Sequence, residues 1–245
     1  MKAMIFAAGL GTRLRPLTDD KPKALVEIGG LPLLELAIRR LKYFGYKDII
    51  VNIHHFGQQI VDFLEKRQHF GIRIALSDER GELLDTGGGL KKAAAFFGDE
   101  PFLLYNTDIL SNIDLQALRA AHLRKKALAT LAVRQRETSR YLLFDEQLQL
   151  CGWQNARSGE TRLSRDKPGL APLAFSGIHM LSPAVFTHMP EGQTVFSIID
   201  VYLEAAKAEP IYGYRHDDSF WLDVGKHPAL TKAEQLLPQL EIAPA

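Results

Sequence analysis

The sequence predicts an α/β fold: a mostly parallel, doubly wound sheet, followed by an α+β second half. Three observations carry that prediction. From Ala3 to Val133, short apolar runs alternate with segments whose apolar residues fall at helical spacing. The first run ends in a glycine loop flanked by cations, the place where open α/β sheets bind ligands. Beyond about residue 135 the alternation gives way to a hairpin, polar loops and separate strands. One domain is expected, with halves over 1–135 and 136–245. The 245 residues, 46% of them hydrophobic, suffice for a sizeable core.

Composition excludes several classes. A net charge of +1 gives no bulk field favouring nucleic acid or an anionic membrane. No apolar run is long enough to span a bilayer. Lys2 and the apolar run after it mimic the start of a signal peptide. That run stops at Gly9, arginines follow, and no small-residue cleavage site appears, so a cytoplasmic protein is expected. The lone Cys151 excludes an intramolecular disulfide and a cysteine metal cluster.

Taken in order, Ala3 to Ala8 reads as a buried strand bounded by Gly9. In Gly9-Leu10-Gly11-Thr12-Arg13, two glycines let the backbone turn tightly and bring its N–H groups close to an anion. Arg13 and Arg15 add positive charge, as do Lys21 and Lys23 beyond. The combination suggests a polyphosphate cradle; the alternative is a glycine turn with solvated arginines. Leu14 stands where the dinucleotide fingerprint needs its third glycine, and Leu14-Arg15-Pro16 where a P-loop needs Gly-Lys-Ser/Thr.

Leu33 to Phe44 reads as a helix with cations near its C-terminal end, where the macrodipole favours them. Asp48 to Ile53, Ile72 to Leu76, Pro101 to Tyr105 and Ala127 to Val133 read as strands. Gln58 to Lys66, Leu90 to Phe97 and Leu115 to Arg124 read as helices. In the second half, Tyr141 to Phe144 and Leu148 to Trp153 form a hairpin around Asp145-Glu146-Gln147, and Asn155 to Gly169 is a polar loop. Ala174 to Leu181, Ile211 to Tyr214 and Phe220 to Val224 are strands; Phe196 to Lys207 and Pro228 to Leu236 are helices.

Several residues suit chemistry. Asp108 follows the strand Pro101 to Tyr105, well placed to hold Mg²⁺ opposite a phosphate loop, or merely to start the next turn. Asp223, near a strand end before Gly225, is a second carboxylate distant in sequence; otherwise it caps the helix at Pro228 behind a packed Trp221. Asp85-Thr86-Gly87-Gly88-Gly89 places three glycines before a helix, leaving bare backbone for a flat ligand. Glu79 is an acceptor for a base N–H that uracil and guanine both offer. His54 and His55 close a strand as a satisfied polar edge, and Cys151 beside Trp153 reads as core.

The segments Gly9 to Leu14, Pro16-Leu17-Thr18 and Lys21-Pro22-Lys23-Ala24-Leu25-Val26 together resemble the opening motif of sugar-1-phosphate nucleotidylyltransferases, also called NDP-sugar pyrophosphorylases. The resemblance covers nearly the whole chain. It implies a GT-A-like, Rossmann-like domain that joins an NTP to a sugar 1-phosphate and releases pyrophosphate. It implies that Arg13 and Lys23 touch the nucleotide phosphates and serve catalysis, with Ala8, Gly9, Gly11, Thr12 and Asn106 lining the nucleotide site. Asp108, and Asp223 in a segment similar to the family's W-x-D-x-G motif, are implied Mg²⁺ ligands. Thr86, Gly87 and Gly88 would meet the base and ribose. Their D-T-G-G-G form is nearest to the N-acetylmuramate 1-phosphate uridylyltransferase branch and also resembles mannose- and heptose-1-phosphate guanylyltransferases.

Phe175-Ser176-Gly177 resembles the sugar-contacting strand, so Ser176 and Gly177 are implied sugar contacts. Lys167 of Asp166-Lys167-Pro168 stands for the lysine that binds the sugar phosphate. Its distance to Gly177 is shorter than the family's, and Arg162 and Lys226 compete with it. The implied partners are an NTP, UTP or GTP, and a sugar 1-phosphate, with no nucleic acid or membrane; the protein is a monomer, or a homodimer through apolar surface on its last helix. Two rivals stand beside this reading. One is a cytidylyltransferase for phosphocholine or a polyol phosphate, with Trp153, Tyr141 and Phe144 as an aromatic cage. The other is a non-catalytic sensing homologue, which should lack the phosphate cations or metal carboxylates retained here.

Overall fold

The computed structural model describes residues 1–225 and 227–244, with side chains for all of these but residue 227. The chain opens with β1 (Lys2–Phe6) and a loop containing the 3₁₀ turns Thr12–Leu14 and Lys23–Leu25. A hairpin follows, β2 (Glu27–Ile28) and β3 (Leu31–Pro32), and then α1 (Leu33–Tyr43), β4 (Asp48–Ile53), α2 (Gly57–Lys66) and β5 (Arg73–Asp78). Next come α3 (Asp85–Lys92), β6 (Phe102–Asn106), β7 (Ile109–Ser111), α4 (Leu115–Lys125) and β8 (Ala129–Arg134). The remainder is β9 (Arg140–Phe144), β10 (Leu150–Asn155), β11 (Thr161–Leu163), β12 (Ala171–Leu181), α5 (Ile198–Ala205), β13 (Ile211–Arg215), β14 (Trp221–Asp223) and α6 (His227–Leu236).

These elements group into two compact units that interleave in sequence. The first takes residues 1–84, 104–113 and the stretch from Phe220 on; the second takes 85–103 and 114–219. Packing therefore divides the chain differently from a single cut at residue 135, because β14 and α6 return to the N-terminal unit.

In the first unit β1 pairs parallel with β4, and β4 with β5, while β6 lies beside β1. The β1 and β4 interiors are apolar and buried, as a parallel strand covered on both faces requires. The β2–β3 hairpin was not anticipated. Its turn is Gly29-Gly30, both at positive φ (56° and 78°), the conformation a two-residue hairpin needs. A buried cluster of Leu14, Val26, Ile28, Leu33, Leu36, Leu110, Val224, Ala233 and Leu240 joins the loop, the hairpin, α1, β7 and the C-terminal segment. Ala229, Leu230 and Leu236 of α6 pack against it. The apolar face of the last helix thus packs against this core.

A buried Arg40 straps the tail to α1, donating to the carbonyls of Glu241 (3.1 Å) and Ile113 (2.5 Å); Arg39 Nε donates to Ala243 O at 2.7 Å. Two tail carbonyls held by charged donors make this C-terminal return a fixed part of the unit.

In the second unit the strands run in the order β11-β10-β9-β12-β8-β13, antiparallel except for β8 with β13. The fold is α/β as expected, parallel in one unit and mostly antiparallel in the other. The polar loop 155–169 contains an unanticipated strand, β11, whose residues are all exposed, so it carried no apolar signal. Asp114 caps α4, accepting from the N–H groups of Gln116 and Ala117, and Ser197 caps α5 through Ile199 N–H.

This unit buries three histidines. His122 donates its Nε2–H to Ser182, whose own proton goes to Ala127 O, so its Nδ1 accepts from Thr130. His179 Nδ1 lies 2.6 Å from the Tyr202 hydroxyl, and His216 Nε2 lies 2.7 Å from Ser176 Oγ. Burial lowers His179 to about 3, and burial with nearby arginine charge lowers His122 and His216 to about 4. The folded values lie below the unfolded value, so the stabilisation is complete above about pH 6.5 and is lost as pH falls toward 4, where the unfolded chain takes up protons first. Each histidine should cost about 2 kcal/mol at pH 5 relative to pH 7. Urea midpoints should drop sharply between those pH values, and less in His179→Gln. Equal midpoints at pH 7 and 5 would contradict the assignment of neutral buried rings.

Candidate active site

The first unit brings together most of the residues singled out in the N-terminal loop. Gly11 sits at φ +66°, and a Cβ there would come within 2.9 Å of both Lys23 Cβ and Thr18 Cγ2, so only glycine fits. The Thr18 hydroxyl and the Leu14 N–H both bond Gly11 O at 2.9 Å, closing the loop into a compact turn. Among the described residues the N–H groups of Gly9, Leu10 and Gly11 carry no hydrogen bond, leaving donors for an anion. Ala8 differs: it is buried, and its N–H goes to Asn52 Oδ1 at 3.3 Å, so it offers nothing to a phosphate.

Asn52 is the residue the sequence reading missed. It stands one residue before the end of β4, after the apolar run Ile49–Val51, and its Oδ1 accepts the N–H of Ala7 at 2.7 Å. Its Nδ2 donates to Glu79 Oε1 at 2.8 Å. Glu79 is 1% exposed, so its carboxylate does not face a nucleotide base; it orients Asn52, which holds the root of the loop. A polar residue at the C-terminal end of a buried strand was the available signal. Thr107 does similar work, its hydroxyl and N–H both bonding Phe6 O where β6 and β1 end. Asn106 is half-buried at the end of β6.

The charged groups meet at Gly225. β14 pairs antiparallel with β7, placing Asp223 opposite Ile109, and Val224 N–H bonds Asp108 O at 2.9 Å. The strand pairing carries a residue from near the chain's end to the turn after β6. A Cβ on Gly225 would lie 2.7 Å from Asp223 Oδ1, 3.0 Å from Lys23 Nζ and 3.1 Å from Arg13 Nη2. Lys23 Nζ in turn forms an ion pair with Asp108 Oδ2. Two cations and the Asp223 carboxylate thus surround one glycine, and the Asp108 carboxylate joins them through Lys23. Asp223 Oδ1 also accepts Gly225 N–H at 2.8 Å, so it braces its own turn. Thr12 and Arg13 are exposed, and Lys23 is half-buried.

In the second unit the Asp85–Gly89 segment is not a bare approach to a helix. It forms the first turns of α3, with Gly87, Gly88 and Gly89 buried. The N–H groups of Gly87 and Gly88 bond Phe196 O at 2.9 and 3.2 Å. A Cβ on Gly87 would lie 2.4 Å from the Phe196 ring. The glycines admit Phe196 against α3, and Thr86 Oγ1 accepts Ile198 N–H at 3.1 Å. Backbone donors expected for the nucleotide are therefore spent on docking α5.

Ser176 is fully buried and bonded to His216, so its hydroxyl does not face a sugar directly. Gly177 sits at φ +73° where the β12–β8 register shifts, a bulge that only glycine enters freely. Among the loop cations, Arg162 pairs with Asp200 at 2.7 Å and Arg165 donates to Ala206 O at 2.5 Å. Lys167 is exposed, without a side-chain partner among the described residues. Lys226 lies outside the described residues. Cys151 is buried as expected, and His54 Nδ1 contacts Glu79 O. Phe144 is fully buried, which removes one wall of the aromatic cage a choline enzyme would need.

The nucleotidyl transferase family model matches residues 2–239. The chain belongs to the nucleotidyl transferase family. It is 32% identical over 250 residues to the N-acetylmuramate alpha-1-phosphate uridylyltransferase of Caulobacter vibrioides, covering 97% of each chain. It is 30% identical to a mannose-1-phosphate guanyltransferase of Yarrowia lipolytica, covering 92% of this chain but 61% of that protein. A solved structure described as a putative glucose-1-phosphate thymidylyltransferase from Bacillus anthracis superposes with a TM-score of 0.80 at 20% identity, covering 100% of this chain and 98% of the other. That likeness establishes the nucleotidyl transferase fold. No helix among the described residues is long and apolar enough to cross a membrane.

Proposed function

We propose that the protein joins a nucleoside triphosphate to a sugar 1-phosphate, giving an NDP-sugar and pyrophosphate. The observation that carries this reading is the convergence of Arg13, Lys23 and Asp223 at Gly225, with Asp108 held by Lys23. A sugar phosphate oxygen attacks the α-phosphorus in line; the new P–O bond forms as the bond from that phosphorus to the pyrophosphate oxygen breaks. The nucleophile is already anionic, so no general base is required. The demand is on alignment and on relief of repulsion between two anions. In this reading the free N–H groups of the 9–11 turn hold the phosphates, Lys23 sits by the α-phosphate, and Arg13 stabilises the departing pyrophosphate.

Asp108 and Asp223 suit Mg²⁺. Among the described residues no set of three His, Cys, Asp or Glu side chains forms a cage. Two carboxylates, with water and phosphate completing the shell, match how Mg²⁺ is usually held. The ion, when bound, supplies positive charge to the reacting phosphates. Lys23 occupies Asp108 here and would exchange that carboxylate for phosphate on substrate binding. Gly177 and Lys167 are the proposed contacts to sugar and sugar phosphate, on the motif resemblance.

UTP with N-acetylmuramate 1-phosphate is the first substrate pair, supported by the relative matched over nearly its whole length. GTP with mannose 1-phosphate is the second, since the guanyltransferase relative extends well beyond this chain. A panel of UTP, GTP, CTP, ATP and dTTP against several sugar 1-phosphates, phosphocholine and a polyol phosphate, read by pyrophosphate release, decides. Turnover is expected with UTP and N-acetylmuramate 1-phosphate. Release only with phosphocholine or a polyol phosphate would replace the sugar reading, and release with no pair would remove it.

A further inference from the structure

Arg136, in the second unit, takes no part in the phosphate chemistry, yet it is fixed against the strand that carries Gly177. The chain from the end of β8 to the start of β9 reads Arg134-Gln135-Arg136-Glu137-Thr138-Ser139-Arg140, three arginines against one acid. Arg136 is half-buried. Its Nη2 donates to Phe175 O at 3.0 Å and its Nη1 to Glu137 O at 3.4 Å. The next residue of β12 is held as well, since His216, just after β13, has Nε2 2.7 Å from Ser176 Oγ. Gly177 follows at once, at the bulge. β9 brings a second guanidinium. It pairs with β12 through Phe144 and Ala171, Leu143 and Pro172, and Leu142 and Leu173. Carried on by two residues, that register sets Arg140 level with Phe175. Arg140 is exposed, and its side chain has no partner among the described residues. Arg134 is engaged elsewhere, donating to Ser219 O at 3.1 Å, and the Asp217 carboxylate takes Gln135 N–H and Arg215. Two guanidinium groups thus stand by Phe175, two residues and so roughly 7 Å of extended chain from Gly177.

We propose that Arg136, with Arg140 beside it, selects a sugar 1-phosphate that carries a carboxylate on its ring, as N-acetylmuramate 1-phosphate does through its lactyl ether. A pyranose resting on Gly177 brings a ring substituent within reach of both arginines. Hydroxyl groups need no fixed charge there, whereas a carboxylate matches the planar fork of a guanidinium. The carbonyls that hold Arg136 orient that fork before the sugar arrives, so less freedom is lost on binding. This assignment deepens the nucleotidyl transfer reading and rests on its placing of the sugar at Gly177.

The test is calorimetric titration of the full chain, in Mg²⁺ and α,β-methylene-UTP, with N-acetylmuramate 1-phosphate and with N-acetylglucosamine 1-phosphate. The second sugar is the first without its lactyl ether, and the methylene bridge blocks pyrophosphate release, so binding is read without turnover. Wild type should bind the carboxylate-bearing sugar tighter by about tenfold or more. Arg136→Gln should bring the ratio of the two affinities to within about twofold of one, and Arg136→Lys should keep part of it, because an ammonium retains the charge without the fork. Arg140→Gln should lower the ratio by less, about threefold, as suits an exposed cation. That variant alters only an exposed side chain, so it carries the test if Arg136→Gln fails to fold. An Arg136 that merely fastens Phe175, or that reads the phosphate both sugars share, would weaken both alike and leave the ratio as in wild type. That result would overturn the proposal, as would a wild-type ratio near one or an Arg140→Gln ratio equal to that of wild type. Failure of the nucleotidyl transfer reading looks different: no substrate pair would release pyrophosphate, while the affinity ratio would still fall in Arg136→Gln.

Discussion

Arg13→Ala is expected to lower kcat on the order of 10²–10³-fold while the fold survives. The argument is geometric. Arg13 is exposed and contributes no buried apolar surface, so its removal should shift stability by less than about 0.5 kcal/mol. Its Nη2 nonetheless reaches the point where Lys23 and Asp223 meet. A cation held there favours charge that builds up on leaving pyrophosphate more than charge already present in bound NTP, so kcat should fall more than KM rises. Arg13→Lys should recover only part of the loss, because an ammonium lacks the planar fork that grips two phosphate oxygens. Near-wild-type kcat in a folded Arg13→Ala protein would remove Arg13 from the mechanism.

Metal removal should have the larger effect. Chelation by EDTA is expected to abolish pyrophosphate release, and added Mg²⁺ to restore it. Asp223→Asn and Asp108→Asn should each cost about 10² or more in kcat, since each takes one negative oxygen from a two-carboxylate set. The two variants differ in a useful way. Asp108→Asn also releases Lys23 from its ion pair, whereas Asp223→Asn leaves that pair intact. If the aspartates served only to hold Lys23, Asp223→Asn would be nearly silent and activity would survive EDTA.

The sequence made the frame legible where local signals were strong. β4 was read at its observed bounds, and α1 and α2 within one residue, because apolar spacing and length agreed. The hairpin β2–β3 escaped because two-residue strands have no period, although Gly29-Gly30 is a turn signal in itself. The long-range features were less readable. Asp108 and Asp223 could be named from motifs, but their approach depends on β14 pairing with β7 and on a core that draws α6 back. The glycines of Asp85–Gly89 show why: missing side chains admit a ligand or a packed ring equally, and the sequence does not reveal that Phe196 packs against Gly87. Glu79 likewise looked like a base contact until burial and Asn52 gave it a structural partner.

The central claim is that Asp108 and Asp223 hold one divalent ion beside Arg13 and Lys23. Manganese binding followed by electron paramagnetic resonance, in the presence of UTP, tests it directly because Mn²⁺ substitutes for Mg²⁺ at oxygen sites. Wild type should bind Mn²⁺ with an affinity that falls at least tenfold in Asp108→Asn and again in Asp223→Asn. Binding unchanged from wild type in both variants would contradict the account.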